Sequence, residues 1–485
     1  MSALQNLEPQ KAFAFFEEMC QIPHGSGNEK GLSDYLVAFA EVRGLVAIQD
    51  AAHNVIIKKD GTRGYESAPP VILQGHIDMV CEKNNDTVHD FMKDPIKLHI
   101  DGDFIKTEGT TMGADNCATI AMALAILDAD DIPHPPLEVV CTSGEEVGMI
   151  GAAALDYSAL NAKRIMNLDS EEEGIFTVGC AGGMRATMTL PAEYESIKPG
   201  YVSAKVGLRG LFGGHSGGDI HLERGNANRL LGRLLHTLCG KADVYVGDFN
   251  GGAQDNAIPR EADAVISYPE SEAAVVETAI SELEKQFQNE YRVSDNGLSI
   301  LFEKLSQTVT QAFTKETTHA LLVAILLYPN GVLAKSLEMQ GGTETSNNLG
   351  VVRSLEGAIT LTGALRSSVV SRKYALLDQV KLLAELVSAT VETRGDYPAW
   401  EFRAESPLRE TAAALFEEMY GKKPEVVVVH GGLECGMFAE NIENADIISF
   451  GPDIFDNHTP NERMSIPSFK RSWEYLLALL AKLNK

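Results

Sequence analysis

Acidic and histidine side chains occur just after short apolar segments of this sequence. The stretches GHIDMV, GADN, TSGEEVG, NLDSEE and NHTPNE contain His76, Asp78, Asp115, Glu145, Glu146, Asp169 and His458. These short apolar segments alternate along the chain with segments of helical periodicity, and this alternation predicts the strands of a parallel sheet. Ligands of an open parallel sheet bind beyond the carboxyl ends of its strands. The sequence therefore predicts one sheet edge that carries several carboxylates and imidazoles.

Each of these residues also has a simpler explanation. A polar residue after a strand is a common turn residue, and Asp115 could cap the helix predicted from Asn116. Taken together, however, several carboxylates on one edge would repel one another unless cations lay between them. A set of histidines and carboxylates without cysteine favours zinc, manganese or cobalt. The pattern therefore predicts a site for one or two divalent cations.

The composition is that of an acidic globular protein. Its 485 residues carry a formal net charge of −27, and 44% of them are hydrophobic. Nucleic-acid binding needs clustered Lys and Arg, which are lacking here, and no apolar run approaches the roughly 18 to 20 residues that span a bilayer. Seven scattered cysteines without a CxxC pair, and an N-terminus without a signal-peptide pattern, predict a cytoplasmic protein that binds neither nucleic acid nor membrane.

Alternating strand and helix signals predict an α/β fold. The first part predicts a mostly parallel sheet with helices on both faces. The middle part changes to an α+β pattern and includes a single element predicted over residues 372–392. The last part returns to the parallel-sheet pattern, with a buried strand predicted at residues 425–429. We therefore predict a catalytic domain interrupted by an inserted α+β lid domain, with bounds of 1–185 and 396–485 for the catalytic domain and 186–395 for the lid.

The motifs resemble those of a known superfamily. The stretches GHIDMV, GADNCATIA, SGEEVGMIGA, NLDSEE and NHTPNE look like the five metal-site motifs of the dinuclear zinc aminopeptidase, aminoacylase and carboxypeptidase superfamily. Their order and spacing along nearly the whole chain, with an inserted lid, are most similar to those of the aminoacyl-histidine dipeptidases.

This resemblance implies a role for each motif residue. Two zinc ions, for which cobalt or manganese can substitute, would be bound by His76, Glu146, Asp169 and His458 as terminal ligands and by Asp115 as the bridging ligand. Asp78 would orient His76, and Glu145 would be the general base. The family's bridging aspartate commonly precedes a cis peptide bond, which here would join Asp115 to Asn116.

The predicted lid and the last part of the chain contain further candidates. The resemblance assigns His215, in the loop GGHSGG, to stabilising the oxyanion. It assigns substrate binding to Asn256 in NAIP and to Arg366 in LRSS; the Arg fork suits a carboxylate. In HGGLE, Gly431 would let the backbone approach the substrate and Glu434 would contact its amino end. Each of these residues could also be an ordinary loop or surface residue.

The function implied by the resemblance is metal-dependent hydrolysis of unblocked dipeptides. Substrates ending in histidine, including β-alanyl-histidine, are expected, and the lid is expected to form a homodimer as in many relatives. An N-acyl amino acid amidohydrolase would share every metal ligand and is the alternative enzyme. A binding protein that has lost catalysis is the alternative from another class, and the presence of Glu145 argues against it.

Overall fold

The protein divides into two compact units. The computed structural model describes residues 3–339 and 341–484. The first unit comprises the chain up to Cys180, Trp400–Val428 and the chain from Leu433, and the second comprises Ala181–Ala399 and Val429–Gly432. The first unit is α/β with a parallel central sheet and the second is α+β, so the predicted fold class is confirmed.

The elements follow one another in three stretches. The first stretch contains α1 (Gln10–Cys20), α2 (Lys30–Val42), β1 (Val46–Gln49), β2 (Val55–Lys59), β3 (Val71–His76), β4 (His99–Asp101), β5 (Phe104–Lys106), α3 (Ala114–Asp128), β6 (Leu137–Thr142), α4 (Ile150–Ala154), β7 (Arg164–Asn167) and β8 (Ile175–Cys180). The second unit contains β9 (Gly182–Pro191), β10 (Tyr194–Ser196), β11 (Tyr201–Arg209), β12 (Gly214–His215), α5 (Ala227–Lys241), β13 (Tyr245–Gly251), β14 (Ala257–Ile258), β15 (Ala262–Pro269), α6 (Ala273–Glu290), β16 (Ser299–Lys304), β17 (Gln311–Phe313), α7 (Lys315–Leu327), β18 (Gly331–Lys335), β19 (Thr343–Leu355), β20 (Ala358–Ser367), α8 (Val370–Leu386) and β21 (Thr390–Tyr397). The last stretch contains α9 (Pro407–Tyr420), β22 (Glu425–Val429), α10 (Cys435–Asn441), β23 (Asp446–Ser449), β24 (Ile454–Phe455), β25 (Arg463–Ser465) and α11 (Ile466–Lys482).

The central sheet of the first unit sets the position of the site. Among the described residues it has the strand order β1-β2-β6-β3-β7-β23-β8-β22. Strands β6, β3, β7 and β23 are parallel, whereas β2 and β8 join this group antiparallel. Every residue of β3 and β6 is buried. Burial along the whole length of both strands, which includes the polar residues Gln74, Glu138 and Thr142, is expected for strands covered on both faces.

Helix α3 is buried along almost its whole length, from Ala114 to Leu127. It contacts α1 and β3, and its alanine-rich sequence lets these neighbours approach closely. An apolar helix without a polar face is stable only inside a core. The start of this helix, which carries Asp115, is thereby fixed against the carboxyl end of β3.

The second unit is built on an antiparallel sheet. Its described strands follow the order β16-β11-β15-β13-β19-β20-β9-β21, and β18 pairs with β19. Helices α5, α6, α7 and α8 contribute buried apolar side chains to a separate core with this sheet. Two short strands, β12 and β14, pair outside the large sheet and align His215 with Ala257.

Two predicted elements differ from the structure. Residues 425–429 form strand β22, but the prediction that this strand is buried is wrong, because β22 is the last strand in the sheet order and its residues are exposed or half-buried. The single element predicted over residues 372–392 is two elements. Helix α8 ends at Leu386, the N–H of Ala389 bonds back to the carbonyl of Ala384, and Ser388 turns the chain with a φ of 56°. Strand β21 then begins at Thr390.

Within residues 3–339 and 341–484, no helix combines the length and the apolar character needed to cross a membrane.

A glycine of β3 is expected to be required for the packing of the site loop. A Cβ atom at Gly75 would lie 2.0 Å from Oδ1 of Asn116 and 3.0 Å from Cδ1 of Ile120. We expect Gly75→Ala to lower the free energy of unfolding by about 1–3 kcal/mol through overpacking, measured by urea denaturation. Gly240→Ala, at a helical position with open space, should be neutral or stabilising. Equal midpoints for Gly75→Ala and the wild type would contradict this account.

Candidate metal centre and active site

Neighbouring parallel strands end at one edge of the first unit's sheet. His76 is the last residue of β3 and pairs in register with Thr142, the last residue of β6. Glu145 follows three residues after Thr142, and Asp169 follows two residues after the end of β7 at Asn167. The parallel pairing of β3 with both neighbours brings these loops together, as the sequence predicted.

Two sets of ligand atoms overlap at Asp115. His76, Asp115 and Asp169 form one set, and Asp115, Glu146 and His458 form another, with the candidate atoms of each set within 4.8 Å of one another. Oδ1 of Asp115 lies 3.0 Å from Nε2 of His76, and Oδ2 lies 3.1 Å from Nε2 of His458. Each oxygen of this carboxylate therefore belongs to a different set, which is the arrangement of a bridging ligand.

The backbone around Asp115 directs its side chain into the site. Gly113 has a φ of 71°, and the peptide bond between Asp115 and Asn116 is cis, as the resemblance predicted. Asp115 has extended backbone angles, φ −79° and ψ 102°, just before the regular part of the helix, and its carboxylate oxygens are hydrogen-bonded to the imidazoles of His76 and His458. The amide of Asn116 donates to the carbonyl of Leu168 at 2.7 Å and ties this loop to the one that carries Asp169.

Asp78 is buried and accepts hydrogen bonds from three directions. Its carboxylate accepts from Oγ of Ser26 at 2.8 Å, from the N–H of Glu145 at 3.0 Å and from the N–H of Glu146 at 3.2 Å. It also lies 3.5 Å from Nδ1 of His76, which is 3.0 Å from the backbone carbonyl of Asp78. Asp78 thus fixes the orientation of the His76 imidazole and leaves its Nε2 free to bind a metal ion. It also fixes the turn that carries Glu145 and Glu146.

The adjacent glutamates differ in their contacts. Glu146 lies 2.8 Å from Nε2 of His458, whereas Glu145 forms no ion pair within 4.0 Å among the described residues. A third group of candidate ligand atoms, from His76, Glu145 and Glu146, also lies within 4.8 Å. Gly144 has a φ of 58° and permits the sharp turn just before the two side chains.

Burial and crowding shift the pKa values of the site strongly. Hydrogen bonds to Asp115 and Glu146 raise the pKa of His458 to about 11. Burial raises the pKa of Asp169 to about 6 and raises that of Glu145 well above its usual range. Although burial opposes it, the hydrogen bonds from His458 and His76 lower the pKa of Asp115. Shifts of this kind are expected where several carboxylates and imidazoles are crowded together away from water.

The donor set fits a pair of divalent cations. In the described part of the chain, the ion pairs of the candidate ligand carboxylates are with histidines and not with Lys or Arg. Uncompensated carboxylates at such close range are unfavourable when buried. The four positive charges of two divalent cations would balance the negative charges of the three ligand carboxylates (Asp115, Glu146 and Asp169) and of Glu145. Imidazole and carboxylate donors without thiolates suit zinc, manganese or cobalt.

The second unit presents a neutral imidazole in a glycine-rich loop. Nδ1 of His215 accepts hydrogen bonds from the N–H groups of Gly217 at 3.3 Å and Gly218 at 3.0 Å. Because Nδ1 is an acceptor, the ring proton is on Nε2. Burial and the nearby Arg366 lower the pKa of His215, which keeps the ring neutral. This side chain is thus a hydrogen-bond donor through Nε2.

Arg366 lies close to His215 in the same unit. A Cβ atom on Gly217 would lie 3.1 Å from the imidazole and 3.3 Å from the guanidinium of Arg366, so this glycine lets the two groups pack closely. Arg366 is buried and donates to the hydroxyl of Tyr397 at 2.9 Å, but its Nε has no hydrogen-bond partner. A buried cation with an unused donor is suited to binding an anion.

The remaining predicted substrate residues lie in both units. In the second unit, the carbonyl of Asn256 accepts from the N–H of Ser216, next to His215, and nothing lies within 4 Å of a Cβ built on Gly431. In the first unit, Glu434 is fully buried, and its Oε2 accepts from Gln74 at 2.5 Å and from Thr142 at 2.6 Å. Its Oε1 has no partner, and burial raises its pKa to about 7.

Four residues near these groups were not predicted. They are His24, Glu171, His430 and Glu462. Glu171 and Glu462 belong to the motifs NLDSEE and NHTPNE, but the sequence does not show which groups their carboxylates contact. Burial and the nearby Arg366 lower the pKa of His430 to about 3, and its Nε2 lies 2.7 Å from Oγ of Ser346. The sequence feature that could have identified His430 is its position after a strand and before two glycines.

Comparisons with known proteins find relatives over nearly the whole chain. Residues 72–482 match the model of the peptidase family M20/M25/M40. The cytosol non-specific dipeptidase of Escherichia coli is 39% identical over 485 residues, which is 100% of this chain and 99% of that protein. The crystal structure of aminoacylhistidine dipeptidase from Vibrio alginolyticus has a TM-score of 0.94 and 38% identity, covering 99% of this chain and 98% of that one. Human carnosine dipeptidase 1, at 13% identity and a TM-score of 0.50 over 100% and 99% of the two chains, shares the fold.

Metal binding should release protons. The pKa of His458 is raised to about 11, so this imidazole is protonated at pH 7 in the metal-free protein and must lose its proton before it can bind a cation. We therefore expect zinc affinity to rise with pH and zinc binding to release protons. Calorimetric titration in two buffers with different ionisation enthalpies would measure the number released. His458→Gln should release fewer protons, and heats that do not depend on the buffer would contradict the prediction.

Proposed function

Because the chain belongs to the peptidase family M20/M25/M40, and is therefore a hydrolase of peptide bonds, we propose that it hydrolyses unblocked dipeptides with two divalent metal ions. The observation that carries this proposal is the pair of candidate ligand sets that share Asp115, with Glu145 beside them. The names of the two relatives with 39% and 38% identity, both dipeptidases, support it.

The proposed metal ligands are those that the resemblance implied. His76, Glu146, Asp169 and His458 would be terminal ligands, and Asp115 would bridge the two ions, which we propose to be zinc, with cobalt or manganese as substitutes. Two such ions, when bound, supply the Lewis acidity that activates an attacking water and polarises the scissile carbonyl. Asp78 would keep His76 oriented, since histidine ligands depend on the hydrogen bond made by their other nitrogen.

Glu145 is the proposed general base. Its carboxylate is close to the candidate ligands but is not paired with His458 as Glu146 is, so it can accept the proton of the attacking water and give it to the leaving amine. Burial favours the protonated form of this side chain, which would help it to hold the proton between the two steps.

His215 is the proposed donor to the oxyanion. Its Nδ1 is occupied by two backbone N–H groups, so its Nε2–H is free to donate to the oxygen that becomes negative when water attacks the carbonyl. The donor would come from the same chain or, in a homodimer, from the partner subunit.

Groups at both ends of a dipeptide would be recognised. The unused donor of Arg366 would bind the free carboxylate, with Asn256 and the open backbone at Gly431 also contacting the substrate. The unpartnered oxygen of Glu434 would accept a hydrogen bond from the free amino group, a charge-assisted contact. A free amine at this position favours dipeptides over the N-acyl amino acids of the alternative amidohydrolase.

We further propose a homodimer, a cytoplasmic location and a preference for dipeptides that end in histidine. The second unit exposes Leu382 and Leu386 on α8 and Leu327 at the end of α7, and exposed apolar side chains of this kind are typical of surfaces that a second copy covers. The proposed location and substrates follow the names of the E. coli and Vibrio relatives, and β-alanyl-histidine is included among the substrates.

Removal of the proposed base should abolish turnover but not metal binding. Glu145→Gln keeps the size of the side chain and removes its basicity, so kcat should fall by about 10²–10⁴ while two metal ions per chain are retained. Glu172→Gln, at an exposed position of the same unit, is the matched control and should keep wild-type kcat. Loss of a metal ion from Glu145→Gln would instead make Glu145 a ligand.

Substrates with one end blocked would test the recognition of both ends. We expect β-alanyl-histidine to be cleaved with a higher kcat/KM than its C-terminal amide, by about 10- to 100-fold, because the amide leaves the buried Arg366 unpaired at a cost of about 1–3 kcal/mol. A tripeptide ending in histidine should be cleaved poorly. Comparable kcat/KM values for all three substrates would refute recognition of the carboxylate. A preference for N-acetyl-histidine over every dipeptide would establish the amidohydrolase.

A further inference from the structure

A buried glutamate outside the predicted ligand set binds the loop that precedes Asp115. The carboxylate of Glu462 accepts from the backbone N–H groups of Met112 at 2.6 Å and Gly113 at 3.2 Å through Oε2, and from that of Ala114 at 2.9 Å through Oε1. Glu462 is 3% exposed. Three backbone donors thus converge on one carboxylate in a place where water cannot replace it, which makes these hydrogen bonds strong.

These hydrogen bonds join two segments that are far apart in the sequence. Residues 112–114 lie immediately before Asp115, and Glu462 lies four residues after His458. The N–H of Glu462 also bonds to the carbonyl of Thr459, which closes the turn that follows His458. One carboxylate therefore connects the backbone of the proposed bridging ligand to the backbone of a proposed terminal ligand.

His458 needs such support. Its φ of 58° is in the left-handed region that non-glycine residues seldom adopt, and a residue stays there only when its surroundings hold it. Downstream of Glu462, strand β25 pairs with β5 and anchors the far end of this turn. Glu462 restrains this turn on the side that faces Asp115.

We propose that Glu462 is a positioning residue that sets the separation between Asp115 and His458 and thereby tightens the second of the two metal sites. It does not contact the proposed ligand atoms and acts only through the backbone of residues 112–114 and its own turn. This inference rests on the proposed metal centre, and it predicts a specific loss of metal affinity when the carboxylate is altered.

Zinc titration of the metal-free full-length protein would test the proposal. Glu462→Gln replaces one acceptor oxygen with an NH₂ group that faces backbone N–H donors, so we expect zinc affinity at one site to fall by about 10- to 100-fold, the usual effect of removing a partner of a metal ligand. Glu462→Asp keeps the charge but is too short to reach all three donors, and its affinity should lie between those of Glu462→Gln and the wild type.

Glu138 offers a matched control in the same unit. It is also buried and accepts from the backbone N–H groups of Asn161 at 2.9 Å and Ala162 at 3.0 Å, and from Lys58 at 2.9 Å. It lies near the start of β6, at the end of the strand away from the site. Glu138→Gln should lower the thermal midpoint of the metal-free protein as Glu462→Gln does, but it should leave zinc affinity within about threefold of wild type, a limit well below the expected loss.

The outcomes separate this inference from the proposed function. A wild-type chain that binds no zinc would overturn the metal centre itself. A wild-type chain that binds two zinc ions, with Glu462→Gln or Glu462→Asp binding them equally well, would overturn only the role of Glu462. Equal losses of zinc affinity in the Glu462 and Glu138 variants would show a general effect of stability and would also overturn it.

Discussion

The contact between the Asp115 carboxylate and two imidazoles is the constraint on which the first unit depends. Its oxygens lie 3.0 Å and 3.1 Å from His76 and His458, and the other acids of the site lie around them. Buried charges of one sign are tolerated only when opposite charges lie between them. The edge of the sheet, the buried helix α3 and the turn at His458 are arranged so that these charges meet at fixed distances.

The second unit uses the reverse electrostatic arrangement. Arg366 is buried with an unused donor, and the two histidines near it, His215 and His430, have lowered pKa values and are therefore neutral donors or acceptors. A buried guanidinium that is surrounded by neutral imidazole rings favours the binding of an anion from outside the protein. The two units thus contribute different chemistry, one a concentration of negative charge and the other an unsatisfied positive charge.

Much of the fold could be predicted because its signals are local. Strands β3, β6 and β7 each contain a short run of apolar residues, and His76 and Asp169 follow two of these runs within a few residues. The predictions failed where burial or chain direction depended on distant neighbours. Strand β22 is apolar in sequence but lies at the edge of the sheet, and the turn at Ser388 ends a helix that local periodicity extends into the following strand.

The sequence by itself determined which chemical groups are available and the order in which the strands present them. Only the tertiary structure decided how those groups are paired. Glu462 has its donors about 350 residues earlier in the chain, and the proton of His215 is placed on Nε2 by two glycine N–H groups. The physical reason is that pairing and loss of solvent depend on distances through space, whereas spacing along a sequence reports only which residues share an element.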